Sequence, residues 1–407
     1  MPKLLQINVC ANWGSTGKIA EQLNDYMRYK GWKTFFAYGR SVNPNLSHLI
    51  HIGNKFFQAI ALFEARLFDN DGLSCRFATM RLIKKIKKVK PDIIHIHNLH
   101  GYYVNYRLLF NYLNSTNIPI VWTFHDCWAF TGHCGHFVTV GCEKWKIACH
   151  DCPLKKDYPS SILLDGSNRN YLLKKRLFAA SNNVHIVVVS DWLKGLVKQS
   201  YLKNKDIRVI NNGVNLDVFK PSQGFSHPKI EETDFVMIAV SSQWKSGLKG
   251  YDDYIKLSGL LKTDEKIILV GVTDEIINEL PYNIIGIKHT NNQKELAEIY
   301  SRANVVLSFS KAETFGLTIV EGFACGTPAI VYNNTALPEL IAEETGFVVS
   351  DGDVQRVYEI LQYIKEKGKA FFTAKCRASA ERLYGLEMQY EKYLNLYNNL
   401  LKKEVKN

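Results

Sequence analysis

Apolar positions in this chain gather into short unbroken runs, and the stretches between the runs repeat at helical spacing. Leu4–Val9, Asp92–Ile96, Ile120–Phe124, His185–Val189 and Ile207–Ile210 read as strands buried on both faces, with Thr34–Tyr38 a further short strand. Asn12–Gly17 reads as the turn after the first strand. Lys18–Lys30 then sets Ile19, Leu23, Tyr26 and Met27 on one helical face. Tyr106–Leu113 and Leu172–Ala180 share that period. Strands alternating with helices predict a parallel sheet with helices on both faces.

The alternation lapses after Phe219-Lys220-Pro221, where Ser222–Pro228 holds turn residues without a period and reads as a linker. It resumes with Phe235–Val240, Tyr251–Leu261, Lys266–Val270, Gln293–Ser301, Val305–Ser308, Leu317–Ala324 and Ala329–Val331. The organisation expected is a first domain over 1–220, a linker over 221–234 and a second domain over 235–384. The segment 385–407 is expected to be a helix packing back on the first domain, with Met388, Tyr390, Tyr393, Leu394 and Tyr397 in contact. The fold class is therefore α/β, with two doubly wound Rossmann-like domains facing each other across a cleft. Ligands of such sheets bind beyond the carboxyl ends of the strands, so chemistry is sought in the loops after strands.

Composition narrows the class. Of 407 residues, 46% are hydrophobic and 22% charged, which excludes a disordered chain. No window approaches the ~18 consecutive apolar residues of a membrane span. The start of the chain lacks the long apolar core of a secretory signal, which suggests a cytoplasmic protein. Charge is divided unevenly: residues 1–220 carry 30 basic and 14 acidic side chains, residues 221–407 carry 21 and 25. The basic half calls for an anionic partner: nucleic acid, a phosphorylated substrate or acidic lipid. Arg81–Lys90 is a basic amphipathic stretch with Leu82, Ile83, Ile86 and Val89 on its apolar side. Phe56, Phe57, Ile60, Leu62, Phe63 and Leu67 lie upstream. Together they suit peripheral attachment to an anionic inner leaflet; an ordinary core helix with a wet basic face is the competing reading.

The most informative segment runs from Ser310 to Pro328. Glu313 sits in a loop after a strand, Gly316 permits close backbone approach, and a helix opening at Leu317 presents free amides suited to phosphate. Glu321 lies farther along that helix, where it could accept from a ribose diol. A capping carboxylate is the plain alternative for Glu313. In the first half, Gly14-Ser15-Thr16-Gly17-Lys18 is not a Walker loop, because Ile19 follows the lysine. His125 follows a buried strand, with a merely structural role at the sheet edge as its alternative. His95 and His97 alternate along their strand, so at most one is expected to face the cleft and neither is given a role. Among nine cysteines, Cys134, Cys142, Cys149 and Cys152 form the best set for a structural zinc, with reduced thiols as the other reading.

Glu313–Glu321 resembles the E-x7-E motif of the retaining glycosyltransferases of family 4, which have the GT-B fold. The turn Cys325-Gly326-Thr327-Pro328, the segment Asn211-Asn212-Gly213-Val214-Asn215 to Pro221, Leu296–Leu307 and Val188-Val189-Ser190-Asp191 resemble further family segments in the same order. The resemblance spans nearly the whole chain, and the cysteine insert over 127–152 is similar to one in colanic-acid-type transferases. It implies that Glu313 and His125 contact the donor sugar and that Glu321 binds ribose. It further implies that Gly14, Lys249 and the amides of Phe315, Gly316 and Leu317 lie at the donor phosphates. Gln243 stands where the family usually has a phosphate-binding Arg, with Lys245 or another base as its substitute, and Asn215 stands for the usual Asp. The implied function is transfer of a sugar from a UDP- or GDP-sugar, without a catalytic metal, to a lipid-diphosphate-linked or oligosaccharide acceptor. The setting implied is bacterial surface-polysaccharide synthesis: capsule, O-antigen or exopolysaccharide. Two other readings stand beside it: an anionic-surface or nucleic-acid binding protein, and a nucleotide-sugar epimerase of the same fold. No RNA-binding motif accompanies the aromatic residues, so nucleic acid is not the expected partner.

Overall fold

A computed structural model describes residues 1–404. The chain divides into two units: Met1–Ile210 together with the chain from Tyr390 onward, and Asn211–Gln389.

The first unit contains β1 (Lys3–Asn8), α1 (Gly14–Tyr29), β2 (Lys33–Tyr38), β3 (His48–His51), α2 (Lys55–Phe68), α3 (Arg76–Val89) and β4 (Ile93–Ile96). It continues with α4 (Tyr106–Leu113), β5 (Ile120–Phe124), α5 (Ser167–Ala179), β6 (Val184–Val188), α6 (Asp191–Val197) and β7 (Asp206–Val209). The strands form one parallel sheet in the order β3-β2-β1-β4-β5-β6-β7. β4 and β5 are buried along their whole length, which explains their nearly continuous apolar sequence, interrupted by His95 and Thr123. Trp122 of β5 packs on Phe110 and Phe178 with ring centroids 5.2 and 4.8 Å away, fastening α4 and α5 to the sheet.

Helix α1 begins at Gly14, four residues before the spacing suggests. Asn12 and Gly14 both take left-handed φ, at 51° and 64°, and complete the turn by themselves. The apolar run after Phe56 does form helix α2, but the residues it buries are Ala61 and Ala65. Phe56 and Phe63 stand 68% and 63% exposed. Helix α3 buries Leu82 and Ile86 and turns Arg81, Lys84, Lys85, Lys87 and Lys88 to solvent.

The second unit contains β8 (Phe235–Val240), α7 (Tyr251–Ser258), β9 (Glu265–Val270), α8 (Asp274–Glu279), β10 (Ile284–Ile287), α9 (Gln293–Arg302) and β11 (Val305–Ser308). There follow α10 (Leu317–Ala324), β12 (Ala329–Tyr332), β13 (Gly346–Val349), α11 (Val354–Lys367) and α12 (Ala370–Leu383). Its sheet is also parallel, in the order β10-β9-β8-β11-β12-β13. The last helix, α13 (Leu386–Glu404), carries the chain back into the first unit. There the Tyr397 hydroxyl lies 2.6 Å from His95 Nδ1, and the Tyr393 hydroxyl 2.9 Å from Thr123 Oγ1. Lys30 pairs with Glu391 at 3.0 Å on the rim of the same contact. Among the described residues no helix is long and apolar enough to cross a membrane.

Candidate functional site

In the second unit the strand order reverses between β8 and β11. The loops leaving their carboxyl ends diverge there, which opens the crevice where open α/β sheets hold ligands. Lys249 comes from the loop after β8 and Glu313 from the loop after β11, and their side chains form an ion pair, each partly buried. The backbone ties the loops together, since the Lys311 amide donates to the Leu248 carbonyl at 2.8 Å. Glu313 is held by its own main chain: its amide donates to Thr335 Oγ1 at 2.9 Å, and its carbonyl accepts from the Ala336 amide at 3.2 Å. Gly250 has φ 65°, and a Cβ there would lie 2.3 Å from the Phe309 carbonyl oxygen. Only glycine lets the two loops come this close.

Helix α10 starts directly after Gly316, whose φ is 104°. No side chain caps its first turn, and no acidic residue lies in it. Its first amides and the positive end of its dipole are therefore suited to an anion. Phe315 is buried edge-on to Tyr384 at 5.8 Å, so it offers a ligand its backbone and not its ring; Leu317 is partly exposed. One turn along, the Tyr300 hydroxyl donates to Glu321 Oε2 at 3.0 Å. Burial, with the Glu321 carboxylate adding to it, holds the Tyr300 phenol well above its ordinary pKa, so it stays a donor. The sequence shows Tyr300 only as one letter of a family segment; its task of orienting Glu321 depends on α9 packing beside α10. Lys245 is engaged elsewhere, paired with Glu279 at 2.7 Å, and the Gln243 amide donates to Ser241 Oγ at 3.1 Å.

In the first unit the order reverses between β1 and β4. Gly14 opens the helix after β1 and is exposed, and a Cβ added to it would meet no atom within 4 Å. His97 follows β4 and His125 follows β5. Their rings meet: His97 Nδ1 lies 3.1 Å from His125 Nε2, and the planes differ by 19°. The alternation argument for His95 and His97 fails here. Residues two apart on a strand point to the same face, and these two rings sit 4.2 Å apart. Burial is the main cause that takes His95 down to about 3 and His125 to about 4, and puts His97 well below its ordinary value. All three are neutral imidazoles at physiological pH.

Next to them His100 Nε2 meets Asp126 Oδ2 at 2.8 Å. Burial opposes charging either group, but their mutual attraction outweighs it, raising His100 and holding Asp126 well below the carboxylate range. Asp126 also accepts the Trp128 amide at 2.9 Å. Asp126 adjoins His125 in the segment after a buried strand, but His100 does not stand out by pattern, because it lies in an irregular loop 26 residues away.

The zinc expectation is not met. Cys134, Cys142, Cys149 and Cys152 line one small pocket with Phe137 and Trp145. Among the described residues, however, no group of three or more His, Cys, Asp or Glu is placed to hold a metal ion. The thiols have other partners: Cys134 hydrogen-bonds Cys152, and Cys149 Sγ accepts the Gly132 amide at 3.2 Å. The Cys134 contact chiefly draws Cys152 down to about 7, whereas burial lifts Cys149 to about 11.

A family profile described as Glycosyltransferase Family 4 matches residues 56–218, and one described as Glycosyl transferases group 1 matches residues 225–380. The chain is 25% identical over 430 residues to the colanic acid biosynthesis glycosyl transferase WcaC of Escherichia coli K12, covering 98% of this chain and all of WcaC. Among solved structures it is similar to the sucrose-phosphate synthase of Thermosynechococcus elongatus, with TM-score 0.71 and 18% identity over 99% of this chain and 100% of that one. It is likewise similar to Anabaena HepE in complex with UDP and glucose, with TM-score 0.65 and 14% identity over 98% of this chain and 100% of that one.

Proposed function

The chain belongs to glycosyltransferase family 4, and from that premise we propose that it is a retaining transferase moving a sugar from a UDP- or GDP-sugar onto a saccharide acceptor. The observation that carries this reading is the Lys249–Glu313 pair at the topological switch point, beside the uncapped start of α10. A diphosphate there takes the ammonium of Lys249 and the amides of Phe315, Gly316 and Leu317. These groups stabilise the negative charge that builds on the leaving nucleoside diphosphate, a task that elsewhere falls to a metal ion. Gly14 opens the corresponding turn of the first unit. Glu321, turned by Tyr300, accepts from the ribose hydroxyls. Once Lys249 is shared with phosphate, Glu313 is available to the sugar near its reacting carbon. His125 completes the catalytic assignment from the first unit. Attack comes from the face that the leaving group departs, which keeps the anomeric configuration.

Similarity to WcaC supports a place in surface-polysaccharide synthesis, and similarity to HepE supports a nucleotide-sugar donor. We further propose a lipid-diphosphate-linked acceptor, reached from the cytoplasmic face of an anionic membrane. A groove of about 1380 Å³ in the first unit supports it, since apolar Phe57, Ile60 and Phe77 share its lining with Arg76, Arg107 and Arg176. Such pairing of apolar and cationic groups suits phosphate-bearing lipid.

Calorimetry with UDP and GDP tests the core of the proposal. One of the two should bind at micromolar Kd, and Glu321→Ala should weaken it about 10-fold, in keeping with the loss of hydrogen bonds to a charged group. Equal affinity in the variant, or no binding of either nucleotide, would refute the donor site.

A further inference from the structure

A file of hydrogen-bonded side chains runs inward from His125. His125 Nε2 is 3.1 Å from His97 Nδ1, and His97 Nε2 is 2.6 Å from Gln6 Oε1. Gln6 Nε2 is in turn 2.6 Å from the Ala20 carbonyl oxygen and 2.7 Å from Asn24 Oδ1. The inner end of the file has only one polarity. A main-chain carbonyl only accepts, so the atom of Gln6 that meets it must be the amide nitrogen. That settles which way Gln6 points and leaves its oxygen toward His97. An amide oxygen also only accepts, so His97 Nε2 carries a proton.

His97 is enclosed, 2% exposed, with the His95 ring 4.2 Å away. Burial, reinforced by His95 and His125, keeps the ring neutral. A neutral imidazole has one proton, so His97 Nδ1 keeps its lone pair and accepts from His125. The proton on His125 therefore sits on Nε2. His125 is neutral too, so its Nδ1 bears a lone pair.

We infer that Gln6 and His97 are positioning residues that hold His125 as its Nε2–H tautomer, so that His125 meets a ligand through Nδ1 as a hydrogen-bond acceptor. The ligand chemistry this selects is a neutral hydroxyl, as on a sugar. A general-acid role for His125 is excluded by the same assignment, because its Nε2–H is engaged by His97. The part concerning the ligand rests on the proposed transferase function; the tautomer itself follows from the file alone.

Side-chain ¹⁵N–¹H correlation of the full chain, labelled at histidine and assigned with His125→Asn, reads the tautomer directly. Near neutral pH, His125 and His97 should each show a protonated Nε2 and an unprotonated Nδ1. His125 protonated at Nδ1, or doubly protonated, would overturn the inference without any variant having to fold. His97→Leu should release His125 into a mixture of tautomers. His97→Asn, whose amide oxygen can stand where Nδ1 stood, should restore the single form. A single Nε2–H form surviving in both His97→Leu and Gln6→Leu would also overturn it. UDP-glucose and GDP-mannose serve as sugar probes: one should shift the His125 Nδ1 resonance upfield where UDP and GDP do not. If neither does while the tautomer pattern holds, the role of His125 toward the sugar falls and the assignment by Gln6 and His97 stands.

Discussion

Glu313 shows how much one side chain draws from its surroundings. Its charge is matched by Lys249, and its backbone is gripped at both the amide and the carbonyl. The side chain is only partly buried, so its ion pair adds little to stability. Glu313→Gln keeps the shape and removes the charge. Transfer should fall at least about 100-fold, the scale of a lost electrostatic contact at a reacting centre, while the unfolding midpoint and nucleotide affinity change little. Sugar transfer from the donor identified by calorimetry, measured beside thermal unfolding, separates the two effects. Undiminished turnover would remove Glu313 from the mechanism. Glu313 is visible in the sequence by its place in a loop after a strand, and Lys249 through the family resemblance. Their partnership is not, because 64 residues separate them. The same holds for His97. Its position after a strand is legible, but its bond to His125 needs β4 and β5 side by side, with His95 opposite Val121 and Ile96 opposite Trp122.

At the scale of elements, strands and helices with complete burial patterns are the ones that sequence period identifies. Ile120–Phe124 and Val305–Ser308 read to the residue because every position in them is buried, and Leu317–Ala324 does so because Gly316 opens the helix and Cys325-Gly326 closes it. The weakly patterned pieces escape: β3 is four residues with one buried, and β13 has one fully buried residue of four. Helix α2 turns Phe56 and Phe63 outward over buried Ala61 and Ala65, a placement that the apolar run alone does not decide. The cysteine segment misleads by spacing, which cannot tell thiols that share a pocket from thiols that converge on one ion. The loops of the donor site depend on Gly250. Gly250→Ala forces a Cβ onto the Phe309 carbonyl at positive φ, where either the loop moves or the strain stays. Backbone strain of this kind costs roughly 1–3 kcal/mol. A lower urea midpoint together with weaker UDP or GDP binding is expected; an unchanged midpoint would mean that the loop relaxes freely.

Across the whole molecule, the two units carry different charge and different chemistry. The first is basic and holds the cluster of neutral histidines, capped by Tyr393 and Tyr397 from the end of the chain. This cluster makes stability depend on pH with a definite sign. The folded-state values of His95, His97 and His125 lie below the ordinary value near 6.5. As pH falls below about 6.5 the unfolded chain takes up protons that the folded chain refuses, so stability is lost, by about 1.4 kcal/mol per pH unit for each such group. His125→Asn removes one of them. Its unfolding midpoint should drop less than that of the parent between about pH 6.5 and 5, in thermal scans at matched ionic strength. Parallel curves for the two proteins would show that His125 ionises in the folded state.

What the sequence determines by itself is local. Periodicity identifies the strand and helix alternation, hence the α/β class, and motif order identifies the family. Periodicity and each single motif depend on neighbours a few residues apart, where geometry is fixed by the covalent chain; motif order needs only their sequence along it. Tertiary structure alone decides who meets whom: Lys249 with Glu313, Tyr300 with Glu321, His97 with His125, and Cys134 with Cys152. These meetings follow from strand order and from the reversals at β1/β4 and β8/β11, which bring distant loops to one edge. A side chain's proton inventory is settled there too, since His125 receives its tautomer from an amide that points at a carbonyl on another element.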